Sequence, residues 1–309
     1  MDDTAQTILM ETDLPLPMFI RGKVRNAYDL GSHLLFIATD RMSAFDVVLP
    51  SGIPRKGSVL SRLSVFWFRH TKDIIANHMT EAIDDVHSID SYLPEESRFA
   101  YPAYLRGRSM VVKKVKRIPV ECVVRGYLTG SAWEEYKEHG TIGGNAMPAG
   151  LQESQKLEQT LYTPTTKADT GHDEPISRED IIRMIGMNTA IEIEEKSTAL
   201  YNYAHEYASN KGLIIADTKF EFGIDNGRLV LIDEILTPDS SRFWDVEKYE
   251  VGRPQDSFDK QPLRDWLTAS GWNKQPPGPV LPDEIIKETS DRYVMAYERI
   301  TDRKLATLD

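Results

Sequence analysis

With 309 residues, 40% of them hydrophobic and 28% charged, the chain can bury one large core or two lobes, which excludes a disordered segment or a small peptide module. Its 37 Lys and Arg against 48 Asp and Glu leave a net charge of −11 and no basic stripe, which excludes polyanion binding but allows a small anionic substrate held by a few converging cations. Cys122 is the one cysteine, so no intrachain disulfide and no Cys-based zinc knuckle can form. The first twenty residues lack a secretory pattern, and no run approaches the ~18 apolar residues that cross a bilayer. A cytoplasmic protein that binds neither nucleic acid nor membrane is expected.

In chain order, residues 24–30 and 34–39 are apolar and β-prone on either side of Gly31-Ser32, which predicts a hairpin. From Ser58 onward, Val59, Leu60, Leu63, Phe66, Trp67, Ile74 and Ile75 recur at helical spacing and predict a helix lying on that sheet. Residues 109–116 and 120–128 predict further strands of the same lobe, joined by a turn at Arg117-Ile118-Pro119. Ser131 starts a short helix that ends at Gly140, a residue suited to a left-handed cap. Residues 141–174, rich in Gly, Pro and Thr, read as one long loop with functional contacts. Ser177 to Asp180 match a capping box, and 190–211 form a longer helix closed by Gly212. Residues 213–224 and 228–236 flank Asp225-Asn226-Gly227, the strongest hairpin signal in the chain. Two helices around the Pro-rich GWNKQPPGPVLP complete it.

The most informative segment is IIADTKFEFG. Asp217, Lys219 and Glu221 are spaced two apart and project from one face of a strand. A surface strand shows the same alternation, but Leu213, Ile214, Ile215, Phe220 and Phe222 make the hairpin otherwise apolar, so the charge row reads as the floor of a cleft. Two registers are open. A two-residue loop sets Glu234 opposite Lys219, whereas a three-residue loop with Gly227 in a left-handed bulge sets Asp233 there. Either supplies carboxylates beside a lysine, the combination that magnesium nucleotide chemistry uses.

In VECVVRGYLTGSAW, Arg125 leads into Thr129-Gly130-Ser131 at a helix start, where free N–H groups and the helix dipole favour an anion and the guanidinium offers a bidentate partner. Ser240, Ser241 and Arg242 follow the LIDEIL strand in a loop. Gly22, Lys23 and Arg25 open the first hairpin with a close-approach glycine and two cations, but without the glycine spacing of a P-loop or a dinucleotide fingerprint. Asp40, Arg41, Ser43 and Asp46 cluster at a strand end. With no HExxH and no GxSxG, zinc hydrolysis and a serine elbow are excluded, and Cys122 among valines reads as core.

Together GKVRNAYDL, ATDRMSAFDVVLPSGIPRKG, PVECVVRGYLTGSAW, ADTKFEFG and DEILTPDSSRFWD closely resemble the SAICAR synthetase family, in family order from residue 22 to 245. QDSFDKQPLRDWL resembles a later helix of the longer single-function members. The resemblance implies a two-lobed α+β fold related to ATP-grasp enzymes and kinases, with ATP in the cleft between lobes. The expected division is 1–116, an antiparallel-sheet nucleotide lobe, and 117–309, a larger substrate and metal lobe. It also implies a ligase of purine biosynthesis that converts CAIR, L-aspartate and ATP to SAICAR, ADP and phosphate through an acyl phosphate, as a monomer or small homo-oligomer.

By matching positions, the resemblance gives Gly22, Lys23 and Arg25 to the ATP phosphates, the backbone of Lys113, Lys114 and Val115 to adenine, and Glu121 to the nucleotide side. It gives Mg2+ to Glu221 and Asp233, which selects the three-residue loop, and CAIR to Arg125, Ser131, Arg242, Ser241 and Asp46. Asp217 and Lys219 then lie beside the reacting groups. Arg25 stands where short members often carry a second lysine, and Lys167 and His172 in the long loop have no assigned role. The rivals are a ligase or kinase for another phosphorylated acid and a silent nucleotide-binding scaffold; intact Asp217, Lys219, Glu221 and Asp233 argue against the scaffold.

Overall fold

The computed structural model describes residues 8–167 and 174–305; His172 lies outside the described residues. The chain divides into two compact units, with the division falling after Arg69, Asn77, Lys114 and Phe258. The first unit therefore takes in the chain from Asp259 onward, which a sequential division into 1–116 and 117–309 assigns to the other lobe.

The first unit opens with β1 (Met18–Arg21), β2 (Arg25–Asp29), β3 (His33–Ala38), β4 (Arg41–Ala44) and β5 (Val47–Gly52), followed by α1 (Lys56–His70), β6 (Met79–Ala82) and β7 (Ser109–Lys113). One antiparallel sheet runs β1-β2-β3-β7-β6, and β4 pairs with β5. The expected hairpin is present: Asp29 pairs with Leu34, and Gly31 turns at φ 85° while its N–H donates to Asp29 Oδ1 at 2.7 Å. Tyr28, Leu35, Ile37, Ile83, Ile89, Leu105 and Val111 form a core on this sheet.

Helix α1 buries Val59, Leu60, Leu63, Trp67 and Phe68 but ends at His70, so Ile74 and Ile75 lie beyond it rather than on its stripe. The chain after it belongs to the second unit, where Leu231 N–H donates to Ala76 O at 2.9 Å and draws the segment away from the helix axis. Asp40 anchors the start of the helix. One of its carboxylate oxygens accepts from Gly57 N–H at 2.9 Å, and the other accepts from Leu9 N–H at 2.8 Å and from Arg108 Nη1 at 3.0 Å.

The second unit contains β8 (Lys116–Tyr127), α2 (Ser131–His139), β9 (Thr141–Ile142), β10 (Asn145–Ala146), β11 (Lys156–Tyr162) and β12 (Thr165–Thr166). It continues with α3 (Arg178–Ile185), α4 (Met187–Ser209), β13 (Leu213–Asp225), β14 (Arg228–Ile232) and β15 (Ser241–Asp245). Its sheet runs β11-β8-β13-β14, with β12 on β8 and β15 on β13. Helix α5 (Gln261–Ala269) and α6 (Asp283–Thr301) return to the first unit, where Arg55 Nη2 meets Asp291 at 3.1 Å and Ser290 Oγ donates to Pro54 O at 2.8 Å.

Three expectations are corrected here. The Arg117-Ile118-Pro119 turn is absent: β8 runs through it and joins the second sheet rather than extending the first. The register of β13 on β8 shifts between Glu221 and Gly223, opposite this stretch, and proline is tolerated at such an irregularity because no ladder N–H is needed there. Residues 141–174 are not one loop, since β9 and β10 form a hairpin and β11 and β12 pair with β8. Finally, Asp225 pairs with Arg228, and Asn226 and Gly227 have φ 49° and 78°, a two-residue loop of the kind that suits the twist of a hairpin. The three-residue register is overturned.

Close packing joins α4 to the sheet at one glycine. A Cβ on Gly126 of β8 would stand 2.0 Å from Tyr201 Oη, which donates to Ile215 O at 2.7 Å. Gly126→Ala is expected to destabilise the chain by about 1–3 kcal/mol through overpacking. Adding Tyr201→Phe removes the clashing oxygen and should recover part of that loss in urea unfolding. Equal stability of the single variant and the parent would show that the helix does not approach so closely.

Candidate active site

The pleat of β13 sets Asp217, Lys219 and Glu221 on one face, spanning about 13 Å at ~3.3 Å per residue. Phe220 and Phe222, between and beyond them, are fully buried on the other face. On the neighbouring strand β8, Asp217 is paired with Arg125, Lys219 with Val123 and Glu221 with Glu121. The row thus has a cationic end and an anionic end, with Lys219 between them.

At the cationic end, Asp217 Oδ2 accepts from Arg125 Nη1 at 3.1 Å and from Arg242 Nη1 of β15. Arg125 is fixed further by Nε donating to Thr163 Oγ1 at 2.9 Å and Nη2 donating to Ser131 Oγ at 3.2 Å. Ser131 is not the cap of α2. That place is taken by Gly130, at φ 58° and with no side-chain cap bond, so α2 begins with its amides uncapped by a side chain. A Cβ on Gly130 would lie 2.4 Å from Arg242 Nη2, so the turn and the guanidinium both require glycine. Burial lowers the pKa of Arg125; Asp217 opposes the shift and Arg242 adds to it. With two guanidiniums sharing one carboxylate, this end is built for an anion.

Ser241 and Arg242, expected in a loop, instead open β15 and pair with Thr218 and Asp217 of β13, because that strand offers its free edge there; only Ser240 lies in the loop before it. Lys219 N–H donates to Ser240 O at 3.1 Å, and Ser241 Oγ lies 2.8 Å from Thr218 Oγ1. The Ser240-Ser241-Arg242 cluster is therefore part of the site's frame.

At the anionic end two carboxylates face each other across the strands, an arrangement that is unfavourable without cations. Lys167 Nζ lies 3.0 Å from Glu121 Oε1 and 2.8 Å from Glu221 Oε1, and Lys219 Nζ lies 2.9 Å from Glu121 Oε1. Burial works to raise the Glu121 pKa, but Lys219 and Lys167 outweigh it and hold the carboxyl below its usual range. Glu221 goes the other way, raised by burial and then by Asp233, with Lys167 only partly offsetting them. Asp233 reaches this charge cluster by leaving the ladder: pairing stops at Glu221 with Ile232, and Asp233 turns away at φ 65°. Expected strand 228–236 accordingly ends at Ile232.

The Glu221 and Asp233 pair fits a magnesium ion. Hard oxygens, buried on Glu221 and half-buried on Asp233, whose mutual repulsion is incompletely offset favour a divalent cation. Among the described residues no cluster of three or more His, Cys, Asp or Glu could hold a metal ion.

In the first unit Lys23 pairs with Asp46, both half exposed. Gly22 N–H donates to Arg25 O at 2.7 Å, and a Cβ on Gly22 would meet that oxygen at 2.8 Å. Arg41 is buried and holds this hairpin, donating to Lys23 O at 3.1 Å and Gly22 O at 2.9 Å. Arg25 stacks over Phe36 at 5.3 Å, Lys114 pairs with Asp29 at 2.6 Å, and Lys113 N–H donates to His78 O at 2.8 Å. Val115 opens the second unit against Gly223. Thr163 is the contact that sequence reasoning missed, and Lys167 the residue it left without a role. Both flank the short strand β12, and the alternation in KLEQTLY just before it is the signal that the loop reading passed over.

Residues 18–279 match the family model described as SAICAR synthetase. The phosphoribosylaminoimidazole-succinocarboxamide synthase of Thermodesulfovibrio yellowstonii is 50% identical over 297 residues, 96% of this chain and 99% of its own. That of Pichia angusta is 50% identical over 295 residues, covering 94% of this chain and 96% of its own. The solved SAICAR-synthase from Saccharomyces cerevisiae, complexed with SAICAR, matches with a TM-score of 0.87 at 44% identity, covering 97% of this chain and all of that one.

Proposed function

The chain belongs to the SAICAR synthetase family, and from that membership we propose how its residues join the carboxylate of CAIR to L-aspartate at the expense of ATP. The reaction itself follows from the family: ATP-dependent ligation of CAIR and aspartate to give SAICAR in purine biosynthesis. The observation that carries the residue assignment is the charge division along β13.

CAIR is anchored by its phosphate or carboxylate at the cationic end, by Arg125, Ser131 and Arg242, with Ser241 framing the pocket. The Arg125 and Arg242 guanidiniums converge on Asp217 there, so an anion entering this end would meet both of them. The acceptor carboxylate then lies toward Lys219, about 7 Å along the strand from either end. A CAIR carboxylate oxygen attacks the γ-phosphorus of ATP and ADP departs. The aspartate amine attacks the resulting acyl carbon, phosphate leaves with one former carboxylate oxygen, and the amine gives up a proton. Lys219 holds the negative charge that gathers on the transferred group, and Asp217 keeps both guanidiniums aimed at the substrate.

Glu221 and Asp233 would hold a magnesium ion, which when bound would supply the remaining charge neutralisation on the phosphates. In the first unit Gly22 and Lys23 are assigned to the ATP phosphates, Arg25 beside them, the backbone of residues 113–115 to adenine, and Asp46 to substrate. The exposed Lys23 pair with Asp46 is weakly held and exchanges readily for a ligand.

The test is twofold. ADP release should require CAIR, aspartate and magnesium together, and chelation should abolish it reversibly. CAIR labelled with oxygen-18 in its carboxylate should transfer one label to phosphate; unlabelled phosphate would rule out the acyl phosphate while leaving the ligation intact.

A further inference from the structure

The Lys167 ammonium sits where the two site carboxylates converge, 3.0 Å from Glu121 Oε1 and 2.8 Å from Glu221 Oε1. Its backbone is not free to carry it elsewhere. Thr165 and Thr166 pair with Glu121 and Val120, and Lys167 N–H donates to Pro119 O at 3.2 Å. The side chain is 23% exposed, so the ammonium has a path to solvent by rotation of its own stem. Lys219 differs: its ion pair is with Glu121.

A divalent cation on Glu221 would meet an ammonium already at contact distance from the same carboxylate. Two cations crowding one oxygen pair repel strongly where burial limits screening. We propose that Lys167 is a placeholder for the divalent cation, bridging Glu121 and Glu221 in the metal-free chain and swinging out of Glu221 when the ion binds. The exchange keeps the facing carboxylates neutralised at every stage, which a site emptied between turnovers would not do. Lys167 thereby sets how tightly the metal is held, and its ammonium is released toward the transferred phosphate once the ion has taken its place.

The proposal rests on the assignment of the metal to Glu221, so the experiment separates the two. Manganese alone is titrated into the full chain and free ion is read by electron paramagnetic resonance. Glu221→Gln tests the assignment; binding undiminished in that variant would place the ion elsewhere and sink both readings. Given that loss, Lys167→Met should bind manganese about tenfold more tightly than the parent, because a competing cation has gone. Lys219→Met removes the same charge without vacating Glu221 and should change affinity by less than about threefold. Equal gains in both variants would reduce the effect to net charge and overturn the placeholder, as would no gain in Lys167→Met or no binding in any chain. A direct readout accompanies it: manganese should raise several-fold the rate at which an amine acetylating reagent labels Lys167, scored by peptide mass spectrometry, and a slowed or unchanged rate would refute displacement.

Discussion

Lys219→Ala is expected to lower turnover of CAIR, aspartate and ATP by about 1,000-fold, the scale on which loss of one group that meets developing charge is felt. The chain should remain folded. Glu121 keeps its second partner, Lys167 at 3.0 Å, so its buried carboxylate is not left alone. The effect belongs on kcat more than on KM if Lys219 meets the transferred group, as proposed, and not the anchoring anion. Lys219→Arg keeps the charge but replaces a compact ammonium with a planar fork, and should restore little. Near-normal turnover in purified Lys219→Ala, with an unchanged Tm, would remove Lys219 from the mechanism.

Arg125→Met acts at the other end and should show the opposite signature, with kcat/KM for CAIR reduced by about 100-fold or more, mostly through KM. It also costs stability, about 3 kcal/mol, since breaking a buried ion pair leaves Asp217 with Arg242 alone and strips Thr163 and Ser131 of their donor. Arg125→Lys should regain some stability but little of the affinity, because an ammonium cannot reach Asp217, Thr163 and Ser131 at once. A variant that unfolds at the parent's urea midpoint and binds CAIR normally would exclude Arg125 from the anchor.

Local patterns made much of this legible in the sequence. The period-two row Asp217, Lys219, Glu221 is set by strand geometry alone, and β13 carries it on one face as expected. The Asp-Asn-Gly hairpin and the Ser177 cap are likewise short-range chemistry, and both form. What failed was longer in range. Pro119 reads as a turn unless the facing register shift of β13 is known, and β11 hides in a Gly- and Pro-rich stretch because its pairing partner lies some thirty residues earlier on β8. The register error is the most instructive. Family membership points to Asp233 and a ladder extrapolation converts that into a three-residue loop, whereas the chain keeps the two-residue loop and brings Asp233 round by a left-handed residue where the strand stops.

The facing Glu121 and Glu221 make the stability of the second unit sensitive to the cations set beside them. Carboxylates set opposite each other in a central strand pair cost free energy that lysines offset and a bound metal-nucleotide would offset further. A ligand that binds these carboxylates only in the folded chain would raise its stability by mass action, and the Tm would then climb with ligand concentration.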